Sequence, residues 1–130
     1  MKNLSFNLEP VQPFRLDFTV WALRRRPDNL VDRWDGRTYR RVLIADDGRP
    51  FEVAVSQPGM PAAAHLQVSI HGETTDEATK RQAVAALERL LGIRLTLDGF
   101  YRLADGDERL KVVADRFRGF KPPRYHSPFE

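Results

Sequence analysis

Phe51-Glu52-Val53-Ala54-Val55-Ser56 and Leu66-Gln67-Val68-Ser69-Ile70-His71 decide the fold. In each stretch a large apolar residue recurs at every second position, which is the period of a strand with one buried face. The segment before them, residues 37–45, ends at Asp46-Asp47-Gly48. The one before that, residues 30–34, ends at Asp35-Gly36, and Asp-Gly between two extended runs marks a tight hairpin. Between the two opening stretches lies a loop carrying Pro58-Gly59-Met60-Pro61. Four successive strands joined in this way predict an antiparallel meander, apolar and covered on one face and wetter on the other.

The cover is legible on both sides of the meander. After it, Ala83, Val84, Leu87, Leu90 and Leu91 fall on one helical stripe. Thr74 stands three residues before Glu77, the spacing of a capping box, and Gly92 supplies a left-handed stop. Before the meander, Leu4-Ser5-Phe6-Asn7-Leu8 alternates like a strand and Pro10 closes it. Pro13 opens a helix with Phe14, Phe18, Trp21 and Ala22 on one face, which Pro27 ends after Arg24-Arg25-Arg26. The order is β-α-ββββ-α, an α+β architecture. Val84, Leu87, Leu91, Phe18 and Trp21 are expected to be buried against the sheet.

From residue 95 the pattern turns helical again. Asp98 is placed to cap a turn holding Phe100, Tyr101 and Leu103. A helix over residues 108–117 would turn Leu110, Val113, Ala114 and Phe117 inward, with Gly119 closing it. The segment after it is proline-rich, with Pro122, Pro123 and Pro128, and it stops without a terminal element, as a cut chain would. The chain thus divides into residues 1–94, the α+β domain, and 95–130, a helical linker leading into whatever follows.

A length of 130 residues suits one domain with one core. An apolar fraction of 42% beside 30% charge suits a folded rather than a disordered chain. The absence of cysteine removes disulfides, thiol nucleophiles and thiolate metal sites together. No apolar run approaches the length of a membrane span, and residues 1–10 lack the apolar stretch of a secretion signal. A cytoplasmic protein with no membrane contact is expected. The net charge of +3 is unevenly spread. Residues 14–41 hold eight Arg against four acids, 42–110 seven basic against eleven acidic, and 111–130 five basic against two acidic. Basic flanks around an acidic middle suit phosphate contact as well as plain solvation.

Little else carries chemistry. His65 and His71 lie roughly 20 Å apart along one strand, too far to share a ligand, and His126 is in the tail, so no metal site is expected. Asp46-Asp47 and Asp105-Gly106-Asp107-Glu108 sit beside glycines, where Asp serves turns. No nucleophile elbow and no phosphate loop is present, and no cofactor is expected. Trp34 and Tyr39 flank a turn, where they either pack at a sheet edge or offer a stacking face. Arg37, Arg40 and Arg41 beside them form a local basic cluster. From the residues alone the reading stops at an α+β domain without a recognisable active site. A free-standing module that recruits a protein or small ligand is one function open to such a domain.

The end of the chain goes further. Asp98-Gly99-Phe100-Tyr101-Arg102-Leu103-Ala104, Asp107-Glu108-Arg109-Leu110, Phe117-Arg118-Gly119-Phe120-Lys121-Pro122-Pro123-Arg124 and Ser127-Pro128-Phe129-Glu130 follow one another. Together they resemble the stretch leading into the helix-hairpin-helix catalytic domain of bacterial and archaeal type II DNA-3-methyladenine glycosylases. Pro13-Phe14-Arg15-Leu16-Asp17, Arg24-Arg25-Arg26-Pro27 and Arg33-Trp34-Asp35-Gly36 are similar to that family's first helix and hairpin. The resemblance covers essentially the whole chain. It implies a TATA-binding-protein-like β-α-β4-α fold for the first domain. It also implies a role as the non-catalytic N-terminal domain of a base-excision repair hydrolase that removes alkylated bases from damaged double-stranded DNA.

In that family the catalytic aspartate and the base pocket would lie beyond Glu130, so no catalytic residue is assigned here and the chain alone is expected to be inactive. Its partners would be the catalytic domain that follows and, through the whole enzyme, duplex DNA. Arg116, Arg118, Lys121 and Arg124 are the residues expected nearest to phosphate. Without that catalytic domain, Phe120, Tyr125 and Phe129 would form an exposed apolar strip on a stiff tail, through which copies of the fragment would self-associate.

Overall fold

The computed structural model describes residues 1–59 and 65–126. The chain folds as α+β around an open, five-stranded antiparallel sheet. Its strands are β1 (Lys2–Leu8), β2 (Arg33–Trp34), β3 (Thr38–Ile44), β4 (Pro50–Ser56) and β5 (Leu66–Gly72), in the order β1-β5-β4-β3-β2. The helices are α1 (Leu16–Arg24), α2 (Glu77–Leu91), α3 (Asp98–Asp105) and α4 (Glu108–Arg116).

Alternation sorts the two sheet faces as the sequence predicts. Leu4, Phe6, Tyr39, Leu43, Phe51, Val53, Val55, Leu66, Val68 and Ile70 join the core beneath α1 and α2. On the other face stand Asn3, Ser5, Arg40, Val42, Glu52, Ser69 and His71. There the Glu52 carboxylate accepts from Arg33 and Arg40 at 2.7 and 3.2 Å. Burial works to raise the Glu52 pKa, but those two guanidiniums outweigh it and hold the carboxyl below its usual range.

Several expectations need correction. The inward stripe of α1 is Leu16, Thr19, Val20 and Leu23, not the face through Phe18 and Trp21. Phe14 is buried, but it precedes the helix. Phe18 is half-buried and Trp21 is 72% exposed. The start of α1 is satisfied from the sheet, because the Gln57 side chain accepts from Leu16 N–H at 2.8 Å and donates to the Phe14 carbonyl at 2.9 Å. α2 is capped by Asp76 rather than by Thr74. The Asp76 carboxylate accepts from the Thr79 amide and hydroxyl, both at 2.9 Å. Leu87 and Leu91 are fully buried, Val84 only half. Gly92 takes the left-handed conformation that ends α2, as its position after the stripe implied.

The strand expected over residues 30–34 shrinks to Arg33–Trp34. Asn29 organises the segment before it: its carbonyl accepts from the amides of Val31 and Asp32, and its NH2 donates to the Arg24 carbonyl. Asp98 begins α3 without capping it. Both carboxylate clusters serve turns, Asp47 accepting from Arg49 N–H and Asp107 capping α4 through the amides of Arg109 and Leu110.

The second region differs from the first. α3 and α4 pack on each other around Tyr101, Ala104 and Ala114 with Leu97 beside them. Leu110, Val113 and Phe117, expected inward, are 39%, 54% and 41% exposed, and Phe100, Leu103 and Val112 are exposed too. The reason is geometric: a hairpin of two short helices has one small interior seam, and the remaining apolar positions must face away.

The tail also departs from expectation. Gly119, at φ +96°, turns the chain back onto the first region, and Arg15 N–H donates to its carbonyl at 2.7 Å. Lys121 N–H donates to the Thr19 hydroxyl, and Arg124 N–H to the Arg89 carbonyl. Phe120 and Tyr125 are half-buried, with Tyr125 against the main core, so they do not form the exposed strip. Phe129 and the loop at Met60-Pro61 lie outside the described residues.

Candidate nucleic-acid interface

The last turn of α1 delivers Arg24, Arg25 and Arg26 to one place. Arg25 sits at φ 60°, ψ −46°, and the Arg26 amide donates to the Arg24 carbonyl at 2.6 Å across it. That is a γ-turn of the positive-φ hand, rare and strained for a residue with a side chain. The turn is pinned on both sides. Arg24 donates to the carbonyls of Asp32 and Pro27. Arg25 stacks its guanidinium on the Tyr125 ring, 4.4 Å from the centroid, and donates to the Tyr125 hydroxyl.

Beside this turn opens a cleft of about 550 Å3. Its basic wall is Arg24, Arg25 and Arg26, and its aromatic wall is Phe18, Trp21, Trp34 and Phe117. Phe18 and Phe117 meet edge to face at 5.8 Å. Asp17 also lines the cleft, gripped by Arg15 through two hydrogen bonds of 3.0 and 2.7 Å. Burial pushes the Asp17 carboxyl up, but the Arg15 hydrogen bond and charge bring it below the ordinary value. Arg26 pairs with Asp28 at 3.3 Å in the open, where an ion pair contributes little.

The four cations read from the sequence as nearest to phosphate do not form one patch. Arg116 is exposed, its guanidinium 5.8 Å from the Phe117 ring centroid. Arg118 is exposed, pairs with Asp115 at 3.1 Å and lies over Tyr101. Arg124 is exposed in a separate groove with Arg89 and Arg94. Lys121 is 1% exposed, and its ammonium donates to the Leu95 carbonyl. Burial pushes the Lys121 pKa down, with Asp98 pulling weakly the other way.

The other basic cluster also separates. Arg37 is exposed in the hairpin turn, and Arg40 is tied to Glu52. Arg41 is buried with Asp32, whose carboxylate accepts from Arg41 at 2.9 Å and from the Tyr39 hydroxyl at 2.7 Å. Burial, reinforced by the Asp32 charge, raises the Tyr39 phenol far above its usual range. Trp34 pairs with Tyr39 across the β2–β3 ladder, on the helix-covered side of the sheet. Tyr39 therefore offers no open stacking face. Asp32 gave no signal in the sequence, because an aspartate declares itself buried only through partners that the fold brings to it.

What fold and cleft define together is an α+β domain with a covered sheet and a basic, aromatic groove at the end of its first helix. No protein-family profile and no curated protein matches the chain. Among solved structures, the chain is similar to the 3-methyladenine DNA-glycosylase from Archaeoglobus fulgidus, with a TM-score of 0.64 and 21% identity. The match takes in 94% of this chain and 39% of that one, so the chain spans about two-fifths of that protein's length. At that identity the likeness establishes a shared fold.

Proposed function

We propose that this chain is the non-catalytic N-terminal domain of a DNA glycosylase that removes alkylated bases in base-excision repair, and that it buttresses a helix-hairpin-helix catalytic domain lying beyond Glu130. The carrying observation is the outward apolar face of α3 and α4. Phe100, Leu103, Leu110, Val112 and Val113 are all more than a third exposed on this helical hairpin. Exposed apolar surface of that kind is what a partner covers. The solved glycosylase that shares this fold has a chain more than twice as long, leaving room for such a partner. The resemblance read at residues 98–130 supports a helix-hairpin-helix catalytic domain as that partner.

Such an enzyme flips the damaged base out of the duplex, and a carboxylate stabilises the cationic sugar of the transition state. This domain contributes neither step. Arg116, Arg118 and Arg124, exposed though not gathered in one patch, are the cations proposed to approach the DNA backbone, where they would add affinity that salt weakens. Lys121 is committed to the fold instead.

The test is release of 3-methyladenine from methylated duplex DNA. The 130-residue chain should release none above a protein-free control. A protein that continues past Glu130 through the catalytic domain should release it. Release by the short chain, or none by the long one, contradicts the reading. Light scattering bears on the second half of it: copies of the short chain that associate through α3 and α4 would show the same face seeking cover.

A further inference from the structure

We infer that the cleft between the end of α1, β2 and Phe117 binds an unpaired nucleotide of a nucleic-acid strand, with its base against Trp21 and its phosphate at Arg25 and Arg26. The choice of ligand rests on the nucleic-acid reading above; the shape and charge of the cleft do not. A volume of about 550 Å3 lies within the range of small-ligand clefts. Trp21 is 72% exposed although the inward positions of α1 are already filled by Leu16, Thr19, Val20 and Leu23. It adds nothing to the core that those residues lack, and it presents a broad aromatic surface to the opening.

Charge decides the class of ligand. Arg24 and Arg25 spend their hydrogen bonds on carbonyls and a phenol, which leave their positive charge unmatched. The acid lining the cleft, Asp17, is already held by Arg15. The Asp28 partner of Arg26 is exposed and easily exchanged. An anion is therefore favoured, and an aromatic wall beside it favours an anion that carries a stacking group. Single-stranded nucleic acids are bound in this manner, by a basic groove with aromatic platforms. The strained γ-turn at Arg25 fits the same account. It directs consecutive guanidiniums toward one site, and strain of that kind persists where the surroundings hold it.

The experiment titrates the 130-residue chain with a ten-nucleotide oligothymidylate and, separately, with a ten-base-pair duplex, following tryptophan fluorescence. The single strand should quench the signal and bind more tightly than the duplex. One phosphate contacted on a single strand gives a slope of about −0.7 in log K against log salt. Trp21→Ala should weaken binding about tenfold, and Trp21→Phe should restore most of it. Arg25→Ala with Arg26→Ala should flatten the salt dependence.

Equal affinity of the Trp21→Ala chain, or preference for the duplex, overturns the proposal. So does an absence of binding; if Trp21 is then shielded from quenchers in a protein extending past Glu130, the cleft is a contact between polypeptides. Because Trp21 is exposed, Trp21→Ala should keep the parent's circular dichroism. Base release by the longer protein is a separate readout, so either proposal can fail while the other stands.

Discussion

The sheet with α1 and α2 closes on itself, whereas the α3–α4 hairpin does not. Among the described residues of the first region, eighteen buried side chains form one cluster, from Phe14 to Ile93. In the second, three buried side chains form the seam, and more apolar residues face outward than inward. The difference teaches where the chain is self-sufficient. Apolar area removed from water stabilises a fold at about 25 cal/mol per Å2, and the hairpin leaves much of its area in water. Its attachment includes a few defined contacts: Arg15 N–H on the Gly119 carbonyl, Phe18 against Phe117, Lys121 N–H on the Thr19 hydroxyl and Arg124 N–H on the Arg89 carbonyl.

The sharpest way to break the self-sufficient half is through its buried polar cluster. Asp32→Ala removes the buried carboxylate that accepts from both Arg41 and Tyr39, and it should cost about 3–5 kcal/mol in denaturant unfolding. A cost under about 1 kcal/mol would contradict the burial of this polar cluster. Leu87→Ala in the same core should cost about 2–5 kcal/mol, measured in the same way. The junction between the regions comes next. A Cβ on Gly119 would lie 2.6 Å from Arg15 Cγ and 2.9 Å from Arg15 N, at a φ of +96° that side chains resist. Gly119→Ala should therefore cost about 1–3 kcal/mol and loosen the hairpin before the sheet. Proteolysis confined to residues after 94 would show that order of loss. Smallest is Leu103→Ser on the outward face, which should change the stability of this chain by about 0.5 kcal/mol or less. In a protein that extends through the proposed covering domain the same change should be clearly destabilising.

The self-sufficient half was also the legible half. Strict alternation at Phe51, Val53 and Val55 and at Leu66, Val68 and Ile70 gave the strands and their faces, and the element order followed. The phase of α1 was misread because Phe14, Phe18 and Trp21 outweigh Leu16, Thr19, Val20 and Leu23 in apolar bulk. Period alone does not say which of two apolar stripes faces the sheet. The same ambiguity hid the outward face of α4: Leu110, Val113, Ala114 and Phe117 read as one inward stripe, and of these only Ala114 is buried.

The cleft was not legible at all. Arg24-Arg25-Arg26 read as a helix end, which it is, but its aromatic wall comes from α1, β2 and the residue after α4. Only the return of the chain at Gly119 fixes Phe117 and Tyr125 beside α1. Lys121 shows the converse. A lysine in a basic tail reads as a phosphate contact until the fold buries it.

Native-state hydrogen exchange on this 130-residue chain tests the difference between the two regions most directly. Amides of α2 from Ala83 to Leu91 should exchange only through global unfolding. Those of α3 and α4, at Leu103, Ala104, Val113 and Ala114, should exchange faster by about a hundredfold or more, through local opening of an uncovered hairpin. Equal protection in the two regions would contradict the account, because it would mean that the hairpin needs no partner to be stable.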